Sequence, residues 1–115
     1  MSAPVAGGAA PWSLAFARIP WESPAPGLRT KAVVRAGKKL RLVEFGLDFV
    51  EPEWCTRGHA GIVLEGSLEL DVAGNVVGFQ AGDGLLIPAG EATRHRHHAT
   101  RRTATLFLVE EAQEG

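Results

Sequence analysis

Cysteine is nearly missing from this chain: Cys55 is the only one in 115 residues. An intramolecular disulfide is therefore excluded, and a disulfide-stapled secreted domain is not expected. An excess of charge is missing as well, because 12 Lys and Arg stand against 13 Asp and Glu, for a formal net charge of -1. That balance argues against a general nucleic-acid binder. Basic residues do gather at Lys38, Lys39 and Arg41 and again at Arg94, Arg96, Arg101 and Arg102. No nucleic-acid reading motif accompanies them, and strand-borne charges usually mark a solvated face. No apolar run approaches bilayer-spanning length, and no positively charged start precedes an apolar stretch at the N-terminus. The expectation is a cytoplasmic chain with neither a membrane nor a nucleic-acid partner. Absent too are a nucleophile elbow with a Ser-His-Asp set, a phosphate-cradling glycine loop and a dinucleotide fingerprint. Their absence removes most cofactor-dependent enzyme classes.

What is present suits one globular domain: 45% hydrophobic and 22% charged residues, in a length that buries a core without staples. Residues 1–11 are mostly Ala, Gly, Pro and Ser, which predicts a disordered tail followed by a single domain over 12–112. Trp12, Leu14, Phe16, Ile19 and Trp21 follow before any clear strand. Such a segment is expected across a sheet face or a neighbouring subunit, and its apolar area predicts a homodimer.

Beyond it, helical periodicity is absent and short alternating runs lie between glycine and proline turns. Strands are predicted over 30–36 and 39–45 about a turn at Gly37, then a short extended piece over 47–50. A strand over 62–64 is expected to turn at Glu65-Gly66 into a second over 68–72, with Leu68, Leu70 and Val72 on the core face. Gly74-Asn75 turns into 76–79, Gly82-Asp83-Gly84 into 85–87, and Pro88-Ala89-Gly90 into a strand carrying His95 and His97. A last strand covers 103–110, and a polar tail from Glu110 to Gly115 is expected to fray. Many short strands at near-regular spacing predict an all-β sandwich or barrel.

Two stretches resemble the paired motifs of the cupin superfamily, which run G-x(5)-H-x-H-x(3,4)-E-x(6)-G and G-x(5)-P-x-G-x(2)-H-x(3)-N. Gly66 closes the first, and Gly82, Pro88 and Gly90 fall on the spacing of the second. The resemblance spans about residues 53 to 97, and Trp54-Cys55, Gly58-His59 and Leu108-Val109-Glu110-Glu111 are similar to segments of short bacterial cupins. It implies a double-stranded β-helix, the jelly-roll barrel, with a cavity for a small molecule. The ligand positions depart from the pattern. His59 stands at the motif's Glu position, Glu53 and Cys55 at its first two His positions, Thr93 at its last His position and His97 at its Asn position.

Alternation after Gly90 places Thr93, His95 and His97 on one face, which the resemblance turns inward, while Arg94, Arg96 and His98 face out. His59 is expected to face the same cavity. Three converging imidazoles suit a divalent transition metal, with Zn, Fe, Ni, Cu or Mn open and Cys55 or Glu53 as a further ligand. A single inward histidine is more often a hydrogen-bonded member of a pocket, and a buried cysteine is often only a small hydrophobe. Three readings follow: a metal-dependent oxygenase, isomerase or lyase acting on a small polar metabolite, a metal-free ligand binder or sensor, and a structural dimer with a filled cavity.

Overall fold

Alternating apolar residues between turns form seven strands among residues 12–112, the part of the chain that the computed structural model describes. They are β1 (Glu22–Ala25), β2 (Leu28–Arg35), β3 (Lys38–Phe45), β4 (His59–Val72), β5 (Asn75–Gln80), β6 (Gly84–Ile87) and β7 (His95–Glu111). All pair antiparallel in the order β1-β2-β3-β7-β4-β5, with β6 also on β4. The expected tail over 1–11 lies outside the described residues. No helix among them is long and apolar enough to cross a membrane.

The sheet branches at β4. Its first half pairs with β6, from His59↔Ile87 to Ile62↔Gly84, and its second half with β5, from Ser67↔Gln80 to Val72↔Asn75. Between them lies Gly66, expected as a hairpin turn but found inside one continuous strand, where the β4–β7 register slips between Val63 and Glu65 and again before Ser67. Its φ is +78°, and a Cβ there would sit 2.0 Å from the Thr103 carbonyl oxygen. Gly66 therefore serves a bulge that bends the strand from one partner to the next. The result is an all-β jelly-roll barrel.

Val43, Val63, Leu68, Leu70, Leu85, Ile87, Ala104, Leu106 and Leu108 form the core. Period two places them: on β7 the even-numbered residues from Ala104 turn inward. The opposite sheet face carries Phe107, met edge-on by Phe16 at 6.2 Å, while Trp21 packs against the cations of Arg29 and Lys31. The N-terminal apolar segment thus lies partly on its own sheet, although Trp12 is 91% exposed.

Other expectations need correcting. Residues 47–50 form a turn and loop, not a strand, and the β4–β5 turn centres on Ala73 and Gly74, both at positive φ. The last strand begins at His95 and runs unbroken to Glu111, so Glu110 does not fray. It continues the inward parity of Leu106 and Leu108 and is only 5% exposed. Its carboxylate accepts from Arg41 Nε at 3.0 Å and Arg41 Nη2 at 2.7 Å, and from His59 Nδ1. Since β3, β7 and β4 are neighbours, this one carboxylate ties three strands together.

Two outcomes follow. Leu70→Ala should lower the unfolding free energy by about 2 to 5 kcal/mol, whereas Glu69→Ala, which loses surface pairs with Arg101 and His98, should cost about 1 kcal/mol or less. Equal losses in denaturant melts would show that the faces of β4 are reversed. Burial alone would raise the Glu110 pKa, but the His59 and Arg41 hydrogen bonds outweigh it and hold the group at about 2, against an ordinary 4.5. A depressed folded pKa stabilises above the ordinary value and loses that contribution as pH falls from 4.5 towards 2. Glu110→Gln should therefore be destabilised near neutral pH, on the order of 3 kcal/mol, and should lose part of the wild-type decline below pH 4.5. Parallel acid profiles for the two proteins would contradict this.

Candidate metal centre

Residues 51–58 form no strand, yet one isolated bridge pins them to β7: Cys55 N donates to His95 O at 2.7 Å and His95 N to Cys55 O at 2.9 Å. The bridge sets the thiol beside the imidazole of His95. On the neighbouring strand His59 opens β4, its ring 4.8 Å from that of His95 and tilted by 74°. Cys55 Sγ lies 3.8 Å from His59 Nε2. One ligand atom from each of Cys55, His59 and His95 falls within 4.8 Å of the others.

The proton positions follow from the partners. Glu110 is ionised, so it can only accept, and His59 Nδ1 must carry the hydrogen. A neutral His59 then has its lone pair on Nε2, facing the thiol. His95 Nδ1 points at the Thr93 carbonyl oxygen, 3.1 Å away, which also can only accept. Desolvation, together with the nearby His59, pushes the His95 pKa down against the upward pull of the Thr93 hydrogen bond, favouring neutral imidazole. Its lone pair is therefore on Nε2, a buried atom with no hydrogen-bond partner. Two imidazoles with Nδ1–H held by an acceptor and Nε2 turned inward are the arrangement in which metal-bound histidines are oriented. An orphaned buried acceptor is costly unless something occupies it.

The structure distributes the remaining sequence candidates differently. His97 is buried on the same face as His95, but its ring stacks on Phe45 at 5.2 Å and meets Phe49 edge-on at 5.1 Å. Its Nε2 is spent on Thr100 Oγ1 at 2.7 Å, and desolvation lowers its pKa. Glu53 is exposed, because period-two alternation does not hold in a segment with a single bridge. Neither belongs to the cluster of ligand atoms. Thr93 sits in a 3-10 turn, Glu91–Thr93, where its hydroxyl donates to the Pro88 carbonyl at 2.5 Å. His98 is exposed, as expected.

Two clefts reach the cluster. One, of about 520 Å³, is lined by His59 and Glu110 with Arg57, Ala60, Ile87 and Val109; the other, of about 460 Å³, includes Cys55 with Glu51, Glu53 and Trp54. Outside the Cys55–His95 bridge, Arg94 and Arg96 pack over the Trp54 ring at 5.0 and 4.3 Å. Arg41 and Glu110 are the functional residues missing from the sequence reading. Glu110 was detectable by parity with Leu106 and Leu108 on β7; Arg41 was not, because Leu40 and Leu42 occupy the other face of β3.

A model of the cupin domain matches residues 51–110. No curated protein sequence matches the chain. Among solved structures, the polyketide cyclase RemF from Streptomyces resistomycificus superimposes with a TM-score of 0.68 at 18% identity, covering 88% of this chain and 79% of that one. KdgF from Halomonas sp. gives 0.65 at 20% identity over 83% and 88%. A putative mannose-6-phosphate isomerase from Ralstonia eutropha JMP134 gives 0.63 at 21% identity over 85% and 94%. At these identities the superpositions speak to fold alone, and the domain match over more than half the length decides the rest: the chain belongs to the cupin superfamily.

Proposed function

We propose that this cupin holds a divalent transition metal through Cys55 Sγ, His59 Nε2 and His95 Nε2, and presents it to a small polar metabolite in the adjoining clefts. The observation that carries the reading is the pair of oriented imidazoles, whose Nε2 lone pairs share one space with a thiol. Donor spacing is compatible with it. Zinc bonds of about 2.0 to 2.3 Å separate tetrahedral ligand atoms by about 3.3 to 3.7 Å, so a set lying within 4.8 Å needs to draw in by about 1 Å. The metal would supply Lewis acidity, polarising an oxygen of the bound molecule.

The chain's own residues supply the rest. Glu110 keeps His59 in the ligating tautomer and Arg41 keeps Glu110 ionised, while the Cys55–His95 bridge fixes the relative positions of two candidate ligands. Similar folds in a polyketide cyclase and a putative sugar-phosphate isomerase leave the reaction open, because function resides in the site rather than the fold.

In titration calorimetry on metal-stripped protein, His59→Ala and His95→Ala should each abolish stoichiometric uptake. Glu110→Gln should weaken it about 10- to 100-fold by releasing the His59 tautomer, and His98→Ala should leave it unchanged. Failure of the wild type to bind zinc, nickel, copper, manganese or iron, or full affinity without His59, rejects the metal and leaves the clefts as a ligand-binding pocket. We also infer a homodimer, on the exposed apolar surface of Trp12, Leu64 and Leu86. Light scattering should then give twice the chain mass at micromolar concentration; a monomer mass would refute it.

A further inference from the structure

The donor set also selects among metals. We infer that Cys55, His59 and His95 form a zinc-selective site with three protein ligands, discriminating against manganese and ferrous iron; the inference rests on the metal reading above. One sulfur and two imidazole nitrogens make up the cluster, with no oxygen donor among them. Of the carboxylates around it, Glu110 is engaged by Arg41 and His59, Glu51 accepts from His97 N at 2.7 Å, and Glu53 is exposed. Manganese favours carboxylate, carbonyl and water, and a ferrous oxygenase site commonly adds a carboxylate to two histidines; thiolate with imidazole is the chemistry of zinc. The sulfur is a fixed part of the set, because the backbone bridge at 2.7 and 2.9 Å holds Cys55 against His95. The ordinary affinity order also places zinc above manganese and iron, so donor type and intrinsic affinity act in one direction. Copper stands above zinc at almost any such site and does not probe selectivity.

Reduced, metal-stripped full-length protein, dialysed without oxygen against equimolar zinc, manganese and ferrous ions, should retain zinc over each of the others by about tenfold or more by elemental analysis. Loaded with cobalt alone, it should show a sulfur-to-cobalt charge-transfer band that Cys55→Ser removes. Cys55→Asp, exchanging the soft donor for a hard one, should shift the retained ratio towards manganese, with a thermal melt confirming that the variant folds. Equal retention of manganese or iron overturns the inference while leaving the metal reading intact; absence of the band from cobalt-loaded wild type overturns the inference and removes Cys55 from the proposed ligand set. Uptake of no metal at all overturns both. The wild-type measurements stand without either variant.

Discussion

The Glu110 carboxylate, buried between Arg41 and His59, joins three neighbouring strands and fixes the tautomer of one imidazole. A buried carboxylate lacking a cation would take up a proton rather than stay charged. Protonated, it could donate as well as accept, and His59 Nδ1 would no longer have to carry its hydrogen. The alternative tautomer places the hydrogen on Nε2, on the side of Cys55, and removes the lone pair that makes His59 a candidate ligand. Arg41 bonds to Glu110, and through that carboxylate it governs what His59 can bind. The same chain of contacts holds β3, β7 and β4 in register, so sheet geometry and site chemistry depend on one charge.

The fold was largely legible because its core residues obey period two. Leu68, Leu70, Leu106 and Leu108 are spaced as half-buried strands require, and all four are buried. Glu65-Gly66 misled because a glycine at positive φ suits a hairpin turn and a bulge equally well. The difference lies in the partner: the Thr103 carbonyl stands where a Gly66 Cβ would be, and no local pattern shows that a distant strand runs so close. The last strand was divided where it is continuous. A strand carrying His95 and His97 and a separate one over 103–110 were expected, and the two are one continuous strand.

The site was legible in part. Motif spacing singled out His59 and Cys55, and alternation singled out His95. Alternation could not separate His95 from His97, which share a face. What separates them is position along the strand: one lies opposite Cys55, the other between Phe45 and Phe49. Arg41 was passed over because a charge on a strand usually marks a solvated face, and Glu110 because it was taken as the start of a fraying tail, although its parity with Leu106 and Leu108 pointed inward.

The departure at Thr93 now has a physical content. Where the cupin pattern places a histidine side chain, this chain places a backbone carbonyl that orients the histidine two residues further on, while the Thr93 hydroxyl fastens the turn to Pro88. The displaced candidate ligand meets Cys55 across a bridge whose outer side is fastened by Trp54 packed against two guanidinium groups. Each aromatic–cation contact contributes on the order of 0.5 to 1 kcal/mol, and together they hold down a segment with no other strand pairing. The sulfur is therefore positioned from outside the barrel, and the imidazoles from within it.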